Sequence, residues 1–159
     1  MFWSAATVVP LAERLADRLA REAVDVVCGP LVGGALLGRL VAARLGVAFV
    51  HAERTTTGDG LHAADYRVPL ASRPAGTRVV IVDDVVNAGS AVRATARALG
   101  AAGATTVGIG ALLVLGETGR TWATDTGLPI TSLAEWANLL HEPASCPLCA
   151  AGEPLETPD

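Results

Sequence analysis

The chain has 159 residues, of which 51% are hydrophobic and 18% are charged, and this composition fits one globular domain. All 12 basic residues are arginine, since the sequence contains no lysine. The composition therefore excludes Schiff-base enzymes and nucleotide hydrolases that hold phosphate with a P-loop lysine. The net charge of -4 argues against nucleic-acid binding, because no basic stripe is available to neutralise a phosphate backbone.

Three further features indicate a cytoplasmic protein that does not enter a membrane. The sequence has no uninterrupted apolar run of the roughly 18 or more residues that a membrane-spanning helix needs. Residues 1–9 lack the basic stretch that opens a secretory signal. The cysteine count of 3 is odd, which is a poor basis for a disulfide framework and is typical of a reducing compartment.

Amphipathic helical patterns alternate with short β-branched runs along the chain. In chain order, the spacing of apolar residues predicts a helix at 8–19, a strand at 24–29, a helix at 36–45, strands at 47–50 and 78–82, a helix at 91–99, and strands at 107–115 and 129–133. Strands separated by helices favour crossover connections and a parallel sheet covered on both faces. The sequence therefore predicts an α/β fold with a doubly wound, mainly parallel five-stranded sheet flanked by helices.

Two segments interrupt this alternation. Residues 51–77 form a polar, turn-rich connection, much longer than the usual crossover loop of about 2 to 6 residues. We interpret it as a long flexible loop, which is either a lid that closes over a bound ligand or a solvated excursion. Residues 146–159 form a Pro-rich tail with a CxxC motif, so a single domain is predicted over residues 1–145.

The segment that says most about function is 79–91. There a hydrophobic strand ends in the adjacent carboxylates Asp83 and Asp84, and a turn of small residues then opens a helix. Such a turn points backbone N–H groups at an anion, and Gly89 lets the backbone approach closely. The pattern predicts a phosphate site beside an acid pair that binds a diol or a metal. The alternative is an ordinary strand end followed by a helix cap.

Residues 79–91 resemble the phosphoribosyl-pyrophosphate signature of type I phosphoribosyltransferases. The resemblance extends to 28–34, where that family has its pyrophosphate loop, and to Glu53 and Arg54, where its catalytic loop begins. The tail from Cys146 is similar to that of one bacterial branch of orotate phosphoribosyltransferases. The resemblance implies the type I fold, with an N-terminal hood that is truncated in this chain.

By this resemblance, Asp83 and Asp84 are expected to bind the ribose hydroxyls, to stabilise an oxocarbenium-like centre and to take part in Mg²⁺ binding. The 5-phosphate of phosphoribosyl pyrophosphate is expected on six residues of the turn: Val86, Asn87, Ala88, Gly89, Ser90 and Ala91. Pyrophosphate with Mg²⁺ is expected on three residues of the earlier loop: Leu31, Val32 and Gly33. The resemblance also implies a small nitrogenous base as the second substrate, and a homodimer in which the flexible loop reaches the neighbouring site.

The sequence departs from the family pattern in three places. Hydroxyl residues usually occupy the family's phosphate turn, where this chain has Asn87, Ala88 and Ala91. Orotate enzymes carry lysines in the catalytic loop, and this chain has none. They also carry an Asp-Arg pair at the positions that residues 115–116 occupy here as Leu and Gly.

Two functions are consistent with these residues. The first is Mg²⁺-dependent transfer of a phosphoribosyl group from phosphoribosyl pyrophosphate to a base, as in orotate phosphoribosyltransferases of pyrimidine nucleotide synthesis. Arg54 is then the catalytic cation of the loop, with Arg67 as the other candidate. The alternative is a catalytically impaired homologue that binds phosphoribosyl pyrophosphate or a nucleotide and regulates a partner.

Two smaller predictions concern the end of the chain. His141, Cys146 and Cys149 have a spacing compatible with Zn²⁺, although a closed zinc site needs four ligands, which two CxxC tails from two chains would supply. The alternative is a reduced, packed turn. Arg120 is interpreted as a solvated loop residue, with a contact to a substrate carboxylate as the alternative.

Overall fold

The computed structural model describes residues 4–55, 65–70, 73–139 and 141–154. In these ranges the α-helices are α1 (Ala5–Leu19), α2 (Gly33–Leu45), α3 (Ser90–Ala101), α4 (Thr118–Asp125) and α5 (Pro147–Ala150). The strands are β1 (Val26–Pro30), β2 (Ala48–Thr55), β3 (Asp65–Arg67), β4 (Arg78–Val86), β5 (Thr105–Leu115) and β6 (Ile130–Trp136). Residues 56–64 and 71–72 of the predicted flexible loop, and 155–159 of the tail, lie outside the described residues.

The strands form one sheet of six, in the order β3-β2-β1-β4-β5-β6. Neighbouring strands are parallel except for β3, which pairs antiparallel with β2. The predicted doubly wound parallel sheet is confirmed, but the predicted count of five strands is wrong. The additional strand, β3, has three residues and only Tyr66 is apolar, so it carries no strand pattern in the sequence.

Side chains of the central strands point alternately to the two faces of the sheet, and each face has its own core. On one face, α1 and α2 pack against the sheet with Leu15, Leu19, Leu37, Val41, Val80 and Val82. On the other face, α3 and α4 cover it with Val92, Leu99, Ala123, Cys28, Ile81 and Ile109. None of the helices in the described ranges has the length and apolarity to cross a membrane.

Helix α4 was not predicted from the sequence. Its eight residues are mostly polar or glycine, and only Trp122 and Ala123 are apolar, so the helical period is weak. Arg120 lies in this helix and forms an ion pair with Glu135 of β6. The interpretation of Arg120 as a solvated loop residue is therefore wrong, and its guanidinium instead joins α4 to the last strand.

The order of the strands determines where a ligand can bind. From β1 the chain crosses to β2 on one side of the sheet, whereas from β4 it continues to β5 and β6 on the other. The loops that follow β1 and β4 therefore diverge and leave a crevice at the carboxyl ends of these two strands. Ligands of doubly wound sheets bind at such a switch point.

Candidate active site

Two adjacent carboxylates, Asp83 and Asp84, lie within β4 near its carboxyl end. The predicted strand at 78–82 is too short, because β4 continues to Val86 and stays paired with β5 beyond the acid pair. Asp83 is only 8% exposed, and the backbone N–H of Asp84 donates to its Oδ1 at 3.0 Å. Burial, and secondarily the charge of Asp84, raise the pKa of Asp83 to about 8. At neutral pH Asp83 therefore holds a proton unless a cation or a donor compensates its charge.

The loop after β1 lies directly against these carboxylates, and glycines make this possible. A Cβ on Gly33 would lie 2.7 Å from Cγ of Asp84, and one on Gly34 would lie 2.7 Å from Oδ1 of Asp83. A Cβ on Gly29 would lie 2.8 Å from Cα of Ala35, so the strand end and the helix start are also in close contact. A larger residue at these positions would displace the carboxylates or force α2 away from the sheet.

The predicted pyrophosphate-loop residues lie at the surface of this crevice. The side chain of Leu31 is 45% exposed and that of Val32 is 71% exposed, and the peptide bond between them is cis. The N–H of Leu31 donates to the carbonyl of Ala52 in β2 at 3.0 Å, which holds the loop to the sheet. Val32 precedes α2 without a side-chain cap, so N–H groups of the first turn of α2 are left for a ligand or water.

The predicted phosphate turn follows β4 and leads into α3. Gly89 precedes the helix with a φ of +75°, a conformation that favours glycine, and no side chain caps the helix. The turn, Asp83 and the first residues of α3 line a cavity of about 210 Å³. The turn and the uncapped start of the 12-residue helix α3 thus lie beside Asp83, one of the two predicted carboxylates.

Two later segments of the chain support this turn. The N–H of Gly119 in α4 donates to the carbonyl of Asn87 at 3.1 Å, and a Cβ on Gly119 would lie 2.6 Å from that same oxygen. From the residues after β6, Nδ2 of Asn138 donates to Oδ1 of Asn87 at 2.9 Å. Gly119 and Asn138 were missed in the sequence, because only the tertiary fold brings them to the turn.

A larger cavity, of about 620 Å³, lies on the opposite side of α3. Arg93, Arg97 and Trp122 are among the residues that line it, and the guanidinium of Arg93 lies 5.4 Å from the centre of the Trp122 ring. Among the residues that the structure describes, no carboxylate lines this cavity. The smaller cavity at the carboxyl end of β4 is therefore the site with the chemistry that the sequence indicates.

The predicted catalytic cation lies elsewhere. Arg54 is exposed on β2, opposite Tyr66 of β3, and it forms no ion pair within the described part of the chain. The ion pairs of this hairpin belong to Glu53, which binds Nε2 of His51 at 2.9 Å and Nη2 of Arg67 at 2.8 Å. The hydrogen bond to His51, followed by the contacts with Arg67, lowers the pKa of Glu53. The structure thus does not bring Arg54 to the acid pair.

The cysteines give no support to a zinc site within one chain. His141 does not join Cys146 and Cys149, since the described residues contain no group of three or more potential metal ligands. A 3-10 helix (Pro143–Ser145) separates the histidine from the cysteines along the chain. The backbone N–H of Cys149 donates to Sγ of Cys146 at 3.5 Å and lowers the pKa of that thiol. The predicted three-residue ligand set is therefore wrong for a single chain.

Comparisons with known proteins agree with this geometry. A family model described as a phosphoribosyl transferase domain matches residues 5–136, and the chain belongs to this family. The chain is 35% identical to an orotate phosphoribosyltransferase of Thermus thermophilus over 144 residues, which covers 91% of this chain and 74% of the relative. Identity is 31% to that of Caldanaerobacter subterraneus, which covers 91% and 70%.

A solved structure gives the same result for the fold. The adenine phosphoribosyltransferase of Thermoanaerobacter pseudethanolicus superposes with a TM-score of 0.71 at 27% identity, over 83% of this chain and 82% of that one. The type I phosphoribosyltransferase fold is therefore confirmed. The family is one of glycosyltransferases, so the prediction of an enzyme of this class is confirmed as well.

Proposed function

We propose that the chain is a cytoplasmic, Mg²⁺-dependent enzyme that transfers the phosphoribosyl group of phosphoribosyl pyrophosphate to orotate, and so acts in pyrimidine nucleotide synthesis. One observation carries the proposal: Asp83 and Asp84 lie between the close-packed glycine loop after β1 and the uncapped start of α3. This arrangement supports two anion-binding elements, one on either side of the acid pair. Phosphoribosyl pyrophosphate has the matching order of groups, with a pyrophosphate and a phosphate on either side of a ribose diol.

Each element has a role in the reaction. The bond between the anomeric carbon and the pyrophosphate oxygen breaks, a bond from that carbon to a ring nitrogen of the base forms, and pyrophosphate leaves. The turn from Val86 to Ala91 holds the 5-phosphate with backbone N–H groups, and Leu31 to Gly33 holds the pyrophosphate. Asp84 binds the ribose hydroxyls and stabilises the positive charge that develops on the ring. Positioning and charge stabilisation are sufficient, and no covalent nucleophile is needed.

The donor set at the end of β4 fits Mg²⁺. This ion prefers oxygen ligands, and in enzymes it usually binds one or two carboxylates while sharing the rest of its shell with water and substrate phosphates. Asp83 and Asp84 are the two carboxylates. Burial, and secondarily the charge of Asp84, raise the pKa of Asp83, so a cation bound here would stabilise the ionised form of Asp83. When bound, Mg²⁺ supplies positive charge to the departing pyrophosphate.

Orotate is proposed as the base because the curated relatives cited above are orotate phosphoribosyltransferases. The loop must then supply a cation other than lysine. We assign this role to Arg54, which has no ion-pair partner in the described ranges, rather than to Arg67, which is held by Glu53. The role requires the loop to carry Arg54 over the site of this chain or of a neighbouring one.

A homodimer is part of the proposal. Three apolar side chains at the end of β1 and the start of α2 are exposed: Leu31 by 45%, Val32 by 71% and Leu36 by 53%. Leu31 and Val32 belong to the pyrophosphate loop itself, where the backbone rather than the side chains is proposed to bind the ligand. Exposed apolar residues clustered in this way are typical of an interaction surface. Analytical ultracentrifugation is expected to give the mass of two chains for the wild type and of one chain for Leu36→Glu. A monomeric wild type would contradict this part.

Pyrophosphate release in the presence of Mg²⁺ and phosphoribosyl pyrophosphate tests the function. Among orotate, uracil, adenine, guanine and hypoxanthine, orotate is expected to give turnover. Asp84→Asn is expected to lower kcat by about 100-fold or more, because the developing ring charge loses its carboxylate. Glu13→Gln, which removes an exposed carboxylate of α1, is the control and should leave kcat unchanged.

The same assay separates the alternative function. The turn keeps few side-chain donors, since Ala88 and Ala91 have none, and this favours a homologue that binds without turnover. Calorimetric binding of phosphoribosyl pyrophosphate with no pyrophosphate release from any base would establish that alternative and contradict the proposed enzyme. Full turnover by Asp84→Asn would contradict the assigned site.

A further inference from the structure

One side chain of the phosphate turn, that of Asn87, is hydrogen-bonded to a residue far along the sequence. Nδ2 of Asn138 donates to Oδ1 of Asn87 at 2.9 Å, and 51 residues separate the two in sequence. Asn87 lines the 210 Å³ cavity together with the first residues of α3. Asn138 lies beyond the end of β6 and does not line that cavity. The second asparagine therefore contacts the site through the first.

The position of Asn138 depends on the end of β5. The N–H of Gly116, directly after that strand, donates to the carbonyl of Trp136 at 2.8 Å and so holds the end of β6 in place. Gly116 has a φ of +64°, and a Cβ added to it would lie 3.0 Å from Cβ of Asn138. A glycine at this position is thus what allows Asn138 to reach across to the turn.

The direction of the hydrogen bond fixes the polarity of the Asn87 carboxamide. An asparagine side chain has an oxygen that only accepts and a nitrogen that only donates. Because Oδ1 of Asn87 accepts from Asn138, its NH2 group remains, and within the described residues Nδ2 makes no hydrogen bond. A group that donates two hydrogen bonds suits an anion, whereas the reverse orientation would present an oxygen to it.

We propose that Asn87 donates a hydrogen bond from Nδ2 to a phosphate oxygen of the substrate, and that Asn138 is the positioning residue that holds the carboxamide in this orientation. The inference rests on the proposed function, because it assigns the 5-phosphate to this turn. Asn87 and Ser90 are the two residues of the turn from Asn87 to Ala91 whose side chains carry a donor. The orientation of one carboxamide therefore matters more here than in a turn rich in hydroxyl groups.

The substitution Asn138→Asp replaces the NH2 group that donates to Asn87 with a carboxylate oxygen, which only accepts. The carboxamide of Asn87 must then rotate to donate Nδ2 to the new carboxylate, and its oxygen turns toward the phosphate. Calorimetric titration with ribose 5-phosphate is expected to give a Kd raised by about 10-fold or more, since a charge-assisted hydrogen bond is replaced by a repulsive contact. Asn138 is half-buried, so thermal melts of both proteins are the control, and they are expected to show that the substitution leaves the fold intact.

A variant of residue 87 separates the effect of carboxamide orientation from the effect of the added negative charge. In Asn87→Thr, the hydroxyl both donates and accepts and rotates freely, so it needs no orienting neighbour. In that background, Asn138→Asp is expected to change the Kd for ribose 5-phosphate by less than about 2-fold. The only remaining effect is the repulsion between the new carboxylate and the phosphate, which salt and solvent screen. Asn138→Leu in the wild-type background removes the orienting donor without charge and should give an intermediate loss.

Equal losses from Asn138→Asp in the two backgrounds would overturn the inference, because the effect would then be charge alone. An unchanged Kd in the wild-type background would overturn it as well. These titrations need no turnover, so they separate the inference from the proposed function. A wild type that binds ribose 5-phosphate but releases no pyrophosphate with any base would contradict the function and leave the orientation test standing. In an active enzyme, Asn138→Asp should raise KM for phosphoribosyl pyrophosphate and change kcat less.

Discussion

The carboxyl ends of β1 and β4 and the hairpin of β2 and β3 differ in how their charged groups are held. At the strand ends, Asp83 is 8% exposed and glycines bring the backbone of α2 into close contact with it. On the hairpin, the side chains of Arg67 and Glu53 are 72% and 40% exposed and are joined by ion pairs. The first region positions its charges by packing, and the second holds them at the surface.

This difference indicates how each region contributes to function. A carboxylate packed against the backbone of α2 has little room to move, so its position is set before a ligand arrives. Exposed ion pairs exchange readily with water and contribute little net stability. Substitutions at the strand ends are therefore expected to change stability and activity far more than those on the hairpin.

The largest expected effect concerns the buried charge of Asp83. Its pKa in the folded protein, about 8, lies above the ordinary value of 3.8, so the folded state holds more protons between these values. The contribution of this group to stability is therefore full below pH 4, falls as the pH rises to 8, and then stays constant. Asparagine has no charge to bury, so Asp83→Asn does not lose stability in this way as the pH rises. Without divalent cations, the free energy of unfolding of this variant at pH 8 is therefore expected to exceed that of the wild type by several kcal/mol.

Denaturant titrations of both proteins in EDTA at several pH values measure this difference. The difference in unfolding free energy between variant and wild type is expected to grow from pH 4 to pH 8, since one pKa unit corresponds to about 1.4 kcal/mol. A difference that does not depend on pH would contradict the burial of the charge.

The next effect tests the close contact between α2 and the acid pair. Gly33→Ala adds a Cβ that would lie 2.7 Å from Cγ of Asp84, so the carboxylate must move. Because displacement of a reacting group by about 1 Å can cost 100-fold in rate, kcat should fall by about that factor. Gly100→Ala in α3 is the matched control, since a Cβ there meets nothing within 4 Å, and it should keep full activity.

A smaller effect concerns the reactivity of the three thiols, of which one lies in β1 and two lie in the tail. Cys28 is buried in β1, and burial raises the pKa of its thiol to about 12. A chromogenic disulfide reagent at pH 7.5 is therefore expected to titrate two thiols per chain in the native protein, from Cys146 and Cys149, and a third after unfolding. Rapid reaction of three thiols in the native state would show that the strand ends open readily.

The smallest effect is expected on the hairpin. Arg67→Ala removes an exposed ion pair with Glu53 and should leave the Tm within the error of a thermal melt. If Arg54 is the catalytic cation, Arg54→Ala lowers kcat while Arg67→Ala does not. A large loss of stability in Arg67→Ala would show that the hairpin is held as firmly as the strand ends.

The sequence predicts the centre of this molecule well because the signals there are local. Buried parallel strands are continuous β-branched runs, and the carboxylates and the small-residue turn follow one of them directly. The position of Asp83 and Asp84 near the carboxyl end of a central strand follows from this pattern and from the rules of parallel topology. The predicted strands and helices of the core accordingly agree with the structure, apart from shifts at their ends.

The remaining features depend on contacts between distant segments. The pairing of Asn138 with Asn87 arises from the register of β5 and β6, which no local pattern specifies. The enclosure of Asp83 by Gly34 is likewise tertiary. Helix α4 and strand β3 are short and mainly polar, so packing against the rest of the domain decides their conformation. The predicted zinc ligands His141, Cys146 and Cys149 do not cluster within one chain, because residues with a suitable spacing in sequence need not lie close together in the fold.

Each edge of the sheet carries a feature that disfavours pairing with a further strand. β3 is three residues long and carries Asp65 and Arg67, and short charged edges resist pairing with another sheet. At the other edge, the guanidinium of Arg18 in α1 donates to the carbonyl of Ser132 and so ties the edge strand β6 to a helix. Copies of this chain are therefore expected to associate through helices and loops rather than through the edges of the sheet.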